Sequence, residues 1–92
     1  MDIQISHHAS MRAQQRGIPT DVLTNLYRFG ETRDARGALS VFLTKEALQD
    51  AAGELSKQDV QKLRRYRNSF LIVGDNARVV TAARMNRKRH FN

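Results

Sequence analysis

His8, Arg12 and Arg16 fall at i, i+4 and i+8, a spacing that sets them in a drifting column along one helix face. An imidazole beside two guanidiniums suits phosphate chemistry: the guanidiniums hold an anion while the imidazole moves a proton. A neutral imidazole at that position could accept a proton, as a general base must. A solvated stripe with an incidental histidine has the same spacing, because polar residues on one helix face are common. Spacing alone leaves His8 open.

The second chemistry-bearing run closes the chain, from Val80 to His90. A strand ending in Arg84, Asn86 and Arg87 sets guanidiniums at a sheet edge beside the Thr81 hydroxyl and an amide. Such a cluster can bind phosphate and stabilise developing charge, and Lys88 and Arg89 would guide a substrate to it. A basic tail without a single task is the competing reading. Arg64, Arg65 and Arg67 read as the basic end of a helix, where the dipole favours them.

Other chemistries find little support. His7 and His8 are adjacent on a helix and point about 100° apart, which rarely suits one metal ion. No carboxylate sits at ligand spacing and cysteine is absent, so no metal, disulfide or cofactor is expected. Serine-nucleophile, phosphate-loop and dinucleotide motifs are missing too. Phe42 and Phe70 read as core, and no strand carries the interleaved aromatics of a stacking platform.

The charge distribution narrows the partner. Up to Leu63 the chain holds eight Lys/Arg and eight Asp/Glu; the last 29 residues hold eight Lys/Arg and only Asp75, so they carry the whole net charge of +7. Arginine supplies 12 of the 16 basic residues, and its planar fork suits bidentate phosphate contact. A polyanion, nucleic acid above all, is the expected partner. If about six basic residues meet a single strand, the log–log salt slope should be near −4.

The elements that must position these groups follow from punctuation and period. Ser6 can cap a first helix running through Met11 and Gln15 to Gly17. Pro19, Thr20 and Asp21 start a second, with Val22, Leu23, Leu26 and Tyr27 on one face and Gly30 as the stop. Glu31 to Arg36, an Arg36-Gly37 turn and Ala38 to Leu43 form a hairpin. Thr44 caps a further helical stretch interrupted at Gly53, and Ser56 with Asp59 restarts it, as one kinked helix or two short ones. Ser69 to Val73, a Gly74-Asp75-Asn76 turn and Arg78 to Ala83 form a second hairpin. The expectation is α+β: ααββαββ, with helices on one face of a four-stranded antiparallel sheet. At 92 residues the chain reads as one domain, with residues 84–92 as a basic tail. Met1 to Ser10 lacks a signal-peptide layout, and no apolar run approaches the roughly 20 residues a bilayer span needs. A cytoplasmic protein is expected.

Ser6-His7-His8-Ala9-Ser10-Met11-Arg12-Ala13-Gln14-Gln15-Arg16-Gly17-Ile18 resembles the "HA..RM..RGI" opening of the small bacterial domain-of-unknown-function family 4258. Ala77 to Lys88, "ARVVTAARMNRK", is similar to the last strand of that family. Here Met11 precedes the arginine that methionine follows in family members, and Thr44 to Arg67 is a long connection between the hairpins. The family is grouped with the RelE, barnase, EndoU and colicin ribonucleases, which share helices packed on a four-stranded antiparallel sheet. The resemblance implies a metal-independent endoribonuclease of toxin type that attacks phosphate with the RNA 2′-OH. It maps the family histidine to His8, the arginines to Arg12 and Arg16, and the strand-end basic residue to Arg84 or Arg87. It also implies RNA, in some cases on the ribosome, and an acidic antitoxin as partners. The alternatives are a non-catalytic nucleic-acid-binding module, with a helix-turn-helix in 47–66, and a protein-interaction domain on the same fold.

Overall fold

The computed structural model describes residues 3–35, 37–74 and 77–85. Its elements run β1 (Gln4–Ile5), α1 (His7–Gln15), α2 (Thr20–Phe29), β2 (Glu31–Ala35), β3 (Ala38–Phe42), α3 (Lys45–Ala52), α4 (Lys57–Arg65), β4 (Ser69–Val73) and β5 (Arg78–Arg84).

Local chemistry accounts for most of these boundaries. The Ser6 hydroxyl accepts a 3.0 Å bond from the Ala9 N–H and caps α1. At its other end Gly17 adopts φ +67°, which lets Ile18 donate to the Ala13 carbonyl and Gly17 to the Gln14 carbonyl. That paired closure is a Schellman turn. Thr44 and Ser56 cap α3 and α4 in the same way, accepting from the Ala47 and Asp59 N–H groups. The stretch after Thr44 is therefore two helices, not one kinked helix.

The expected four-stranded antiparallel sheet is corrected to a five-stranded mixed one, in the order β1-β5-β4-β3-β2. The addition is β1, which pairs parallel with β5 through Gln4 opposite Arg78 and Ile5 opposite Val79. Two residues cannot show a periodicity, so only the partner strand and the bond from the Ser6 N–H to the Val79 carbonyl define it. The remaining pairings are antiparallel, as expected.

Helices cover one face of this sheet. Val41, Leu71, Val73, Val79 and Ala82 point into a core completed by Ala9 and Ala13 of α1, Val22, Leu23 and Leu26 of α2, Ala51 of α3 and Leu63 of α4. A β-bulge sets the pattern on β5: Val73 pairs with Val79 and Ile72 with Thr81, so Val80 is extra. The inward face switches there, which buries both Val79 and Ala82. It also carries Arg84 to the helix side and Met85 to the other.

Phe42 and Phe70, expected in the core, lie half-buried on the face away from it. Each is one residue from an inward position, and the two-residue period turns them outward. Ser69 is the buried polar residue of the described core, and its hydroxyl has no hydrogen-bond partner among the described residues. Ser69→Ala is expected to stabilise the fold by up to about 1 kcal/mol, a rise in Tm of roughly 4–8 °C. A fall in Tm would mean that the hydroxyl is paired in solution.

Candidate nucleic-acid interface

The end of α4 carries Arg64 and Arg65, the residues a helix C-terminus favours. The chain then reverses in a tight turn, with Arg67 donating to the Arg64 carbonyl and Ser69 to the Tyr66 carbonyl. The register of the last hairpin sets Arg84 directly across from Ser69. The Met85 N–H also donates to the Asn68 carbonyl at 2.6 Å, tying the end of β5 to this turn. Sequence-distant arginines are thereby gathered in one place.

Arg64, Arg65, Arg67 and Arg84 line an open cleft of about 650 Å³ together with Gln61 and Asn68. The Arg84 guanidinium sits 4.9 Å from the Tyr66 ring centroid, a cation–π contact that orients it. Among the described residues, no carboxylate lines the cleft. Among the described residues the ion pairs are Arg28–Glu54 at 3.0 Å and Lys62–Asp21 at 2.9 Å, and neither involves these arginines. Like charges held together with no counter-charge among the described residues create a positive field that an anion relieves. Arginine forks add bidentate geometry for phosphate.

The cleft continues beyond the arginines. Arg64, Arg67 and Asn68 also line a second cleft of about 570 Å³, which reaches Thr44, Lys45 and Met85. Met85 then borders a third, of about 380 Å³, on the uncovered sheet face with Arg33, Ser40, Phe42 and Phe70. One strip therefore runs from the arginine cluster, around the sheet end at Met85, onto the open face.

The sequence-derived site residues separate into groups. His8 and Arg12 do meet: the Arg12 Nε–H donates to His8 Nε2 at 3.4 Å, a long bond on an exposed helix face. Arg16, at the C-cap of α1, is exposed and does not join them through a described bond. None of His8, Arg12 and Arg16 lines the three clefts. Arg84 belongs to the arginine cluster. Thr81 pairs with Ile72 and shares the uncovered face with Ser40 and Phe70. Asn86, Arg87, Lys88 and Arg89 lie outside the described residues.

Arg64, Arg65 and Arg67 are the residues that sequence reasoning passed over as helix-end charges. No local signal was present: carrying the Val73–Val79 pairing back without a bulge sets Ala83 across from Ser69, and only the extra Val80 brings Arg84 there. Among the described residues, no group of three His, Cys, Asp or Glu side chains could hold a metal ion. No described helix is long and apolar enough to cross a membrane. Compared with protein-family models, curated proteins and solved structures, the chain matches none of them. Its chemistry rests on its own residues.

Proposed function

We propose that this protein binds single-stranded RNA, with successive phosphates held in the arginine cleft. The observation that carries this reading is the set of four guanidiniums, Arg64, Arg65, Arg67 and Arg84, around one cleft that no carboxylate among the described residues lines. A strand with free bases can follow the strip past Met85 onto the open sheet face, whereas a duplex is a stiff rod. Anisotropy of a labelled single-stranded RNA, competed with unlabelled duplex of the same length, tests this. Displacement by single strand at far lower concentration than by duplex is expected. Equal or better competition by duplex would favour the α3–α4 pair as a helix-turn-helix instead.

A second reading, metal-independent cleavage of the bound RNA, is favoured by the His8–Arg12 pair. There the imidazole Nε2 faces the Arg12 guanidinium; with Arg12 turned onto the phosphate, that lone pair is free to take the 2′-OH proton. The 2′-oxygen then attacks the adjacent phosphorus, the bond to the 5′-oxygen breaks with that oxygen taking a proton from water, and a 2′,3′-cyclic phosphate remains. Arg12 would steady the phosphate, with Arg16 and Arg84 as further cationic contacts. In this version the helix-covered sheet would be a five-stranded variant of the RelE- or barnase-type ribonuclease layout, and an acidic antitoxin segment would compete for the cleft. Incubation with RNA in excess EDTA separates the readings. Wild type should leave cyclic phosphate ends, and His8→Ala should lose at least about a hundredfold in rate with its RNA affinity kept. Cleavage that survives His8→Ala would remove His8 as the base.

A further inference from the structure

The open sheet face has a chemistry that phosphate binding does not use. Phe42 on β3 and Phe70 on β4 are direct cross-strand partners, so their rings stand side by side on one pleated surface. Neither strand carries two aromatics on this face; the sheet register makes the pair. Both rings are half-buried and outside the core, and they line an open cleft with Arg33, Ser40 and Met85. The Arg33 guanidinium lies 5.6 Å from the Phe42 ring centroid. Ser40 and Thr81 bring hydroxyls to the same face through their pairings with Ile72.

Resting on the reading of the arginine cleft as a phosphate site, we infer that this face is a base-stacking platform on which Phe42 and Phe70 each take one nucleobase. The occupant is the same single strand whose phosphates lie among Arg64, Arg67 and Arg84. Three features select it. Rings on directly paired residues of strands about 4.8 Å apart present two flat apolar surfaces, which unpaired bases match and paired bases cannot reach. Arg33 stands beside the rings as a phosphate contact or a third stacking plane. Met85 borders both the platform and the cleft that shares Arg64 and Arg67, so one strand can occupy both. Glu31, paired with Phe42, is the acid of this face among the described residues.

The test uses the full chain and two labelled probes: a short single-stranded oligouridylate and an abasic strand of the same length and charge. Wild type should bind oligouridylate at least about tenfold more tightly than the abasic strand. Phe42→Leu/Phe70→Leu keeps apolar volume but removes the rings. It should lose that preference and still bind the abasic strand as wild type does. Thermal unfolding checks the fold, and the single variants Phe42→Leu and Phe70→Leu replace the double one if it unfolds, each losing part of the preference. Equal wild-type binding of the two probes, or a double variant that keeps the preference, would overturn the platform while leaving the cleft standing. Binding of neither probe would overturn the cleft reading itself. A wild-type dimer in sedimentation that the double variant dissociates would assign the face to a second copy of the chain and overturn the proposal.

Discussion

Replacing Arg64, Arg67 and Arg84 together by glutamine is expected to lower affinity for single-stranded RNA about a hundredfold without unfolding the protein. All three side chains are exposed and none is engaged in a described ion pair, so their removal breaks little of the fold. Arg84 gives up its contact with Tyr66, worth roughly 0.5–1 kcal/mol at an exposed site. Binding depends on them far more. Each phosphate neutralised by an arginine releases a condensed counterion and gains a charge-assisted hydrogen bond. At about 1 kcal/mol for each exposed contact, three losses amount to roughly two orders of magnitude. Arg28→Gln is the matched control, since Arg28 already pairs with Glu54 and lines none of the three clefts. Its affinity should stay near wild type. If the triple variant loses no more affinity per charge removed than the single control, diffuse net charge binds RNA and the cleft has no special part.

Gly30→Ala is expected to destabilise the fold by about 3 kcal/mol, at the upper end of what inserted volume costs a packed core. Gly30 has φ −64° and ψ 154°, a conformation any residue adopts, so the argument is one of space. An added Cβ would stand 2.5 Å from the Leu26 carbonyl oxygen, 2.6 Å from Val41 Cγ1 and 3.0 Å from the Phe42 carbonyl oxygen. Two of those neighbours are backbone. The Leu26 carbonyl also accepts the Gly30 N–H at 2.8 Å, closing α2, so relief of the clash must separate α2 from β3. A loss of that size lowers Tm by more than about 12 °C in a domain this small, readable by circular dichroism. Gly53→Ala is the contrast: its Cβ would meet only the Asp50 carbonyl oxygen at 3.5 Å, in αR backbone. It should leave Tm unchanged or raise it slightly. A wild-type Tm for Gly30→Ala would mean that the α2–β2 junction is looser than its geometry.

Local signals made much of this fold legible. Ser6, Thr44 and Ser56 announce their helices because a cap is a bond between near neighbours, and Gly17 and Gly37 (φ +67° and +84°) mark reversals that favour glycine. The two hairpins follow from alternation and turn residues. What stayed hidden depends on partners distant in sequence. β1 exists only through β5. Phe42 and Phe70 look like core until the helices take one face of the sheet and leave the other open. The bulge at Val80 is subtler still. Without that extra residue, a two-residue period from Val79 would turn Arg84 away from the helix side, so no local pattern predicts that Arg84 meets Tyr66. The charge excess of the last 29 residues was plain from composition, but its gathering into a cleft is a property of sheet register.

The most direct test of the RNA-binding cleft is a salt titration of wild type and the Arg64/Arg67/Arg84→Gln variant against one labelled single-stranded RNA. At roughly 0.7 per neutralised phosphate, four cleft arginines with one or two flanking cations predict a wild-type log–log slope of about −3.5 to −4. The variant should fall to a slope shallower by about 2. A slope near zero for wild type, or the same slope for both proteins, would contradict the cleft as the phosphate site.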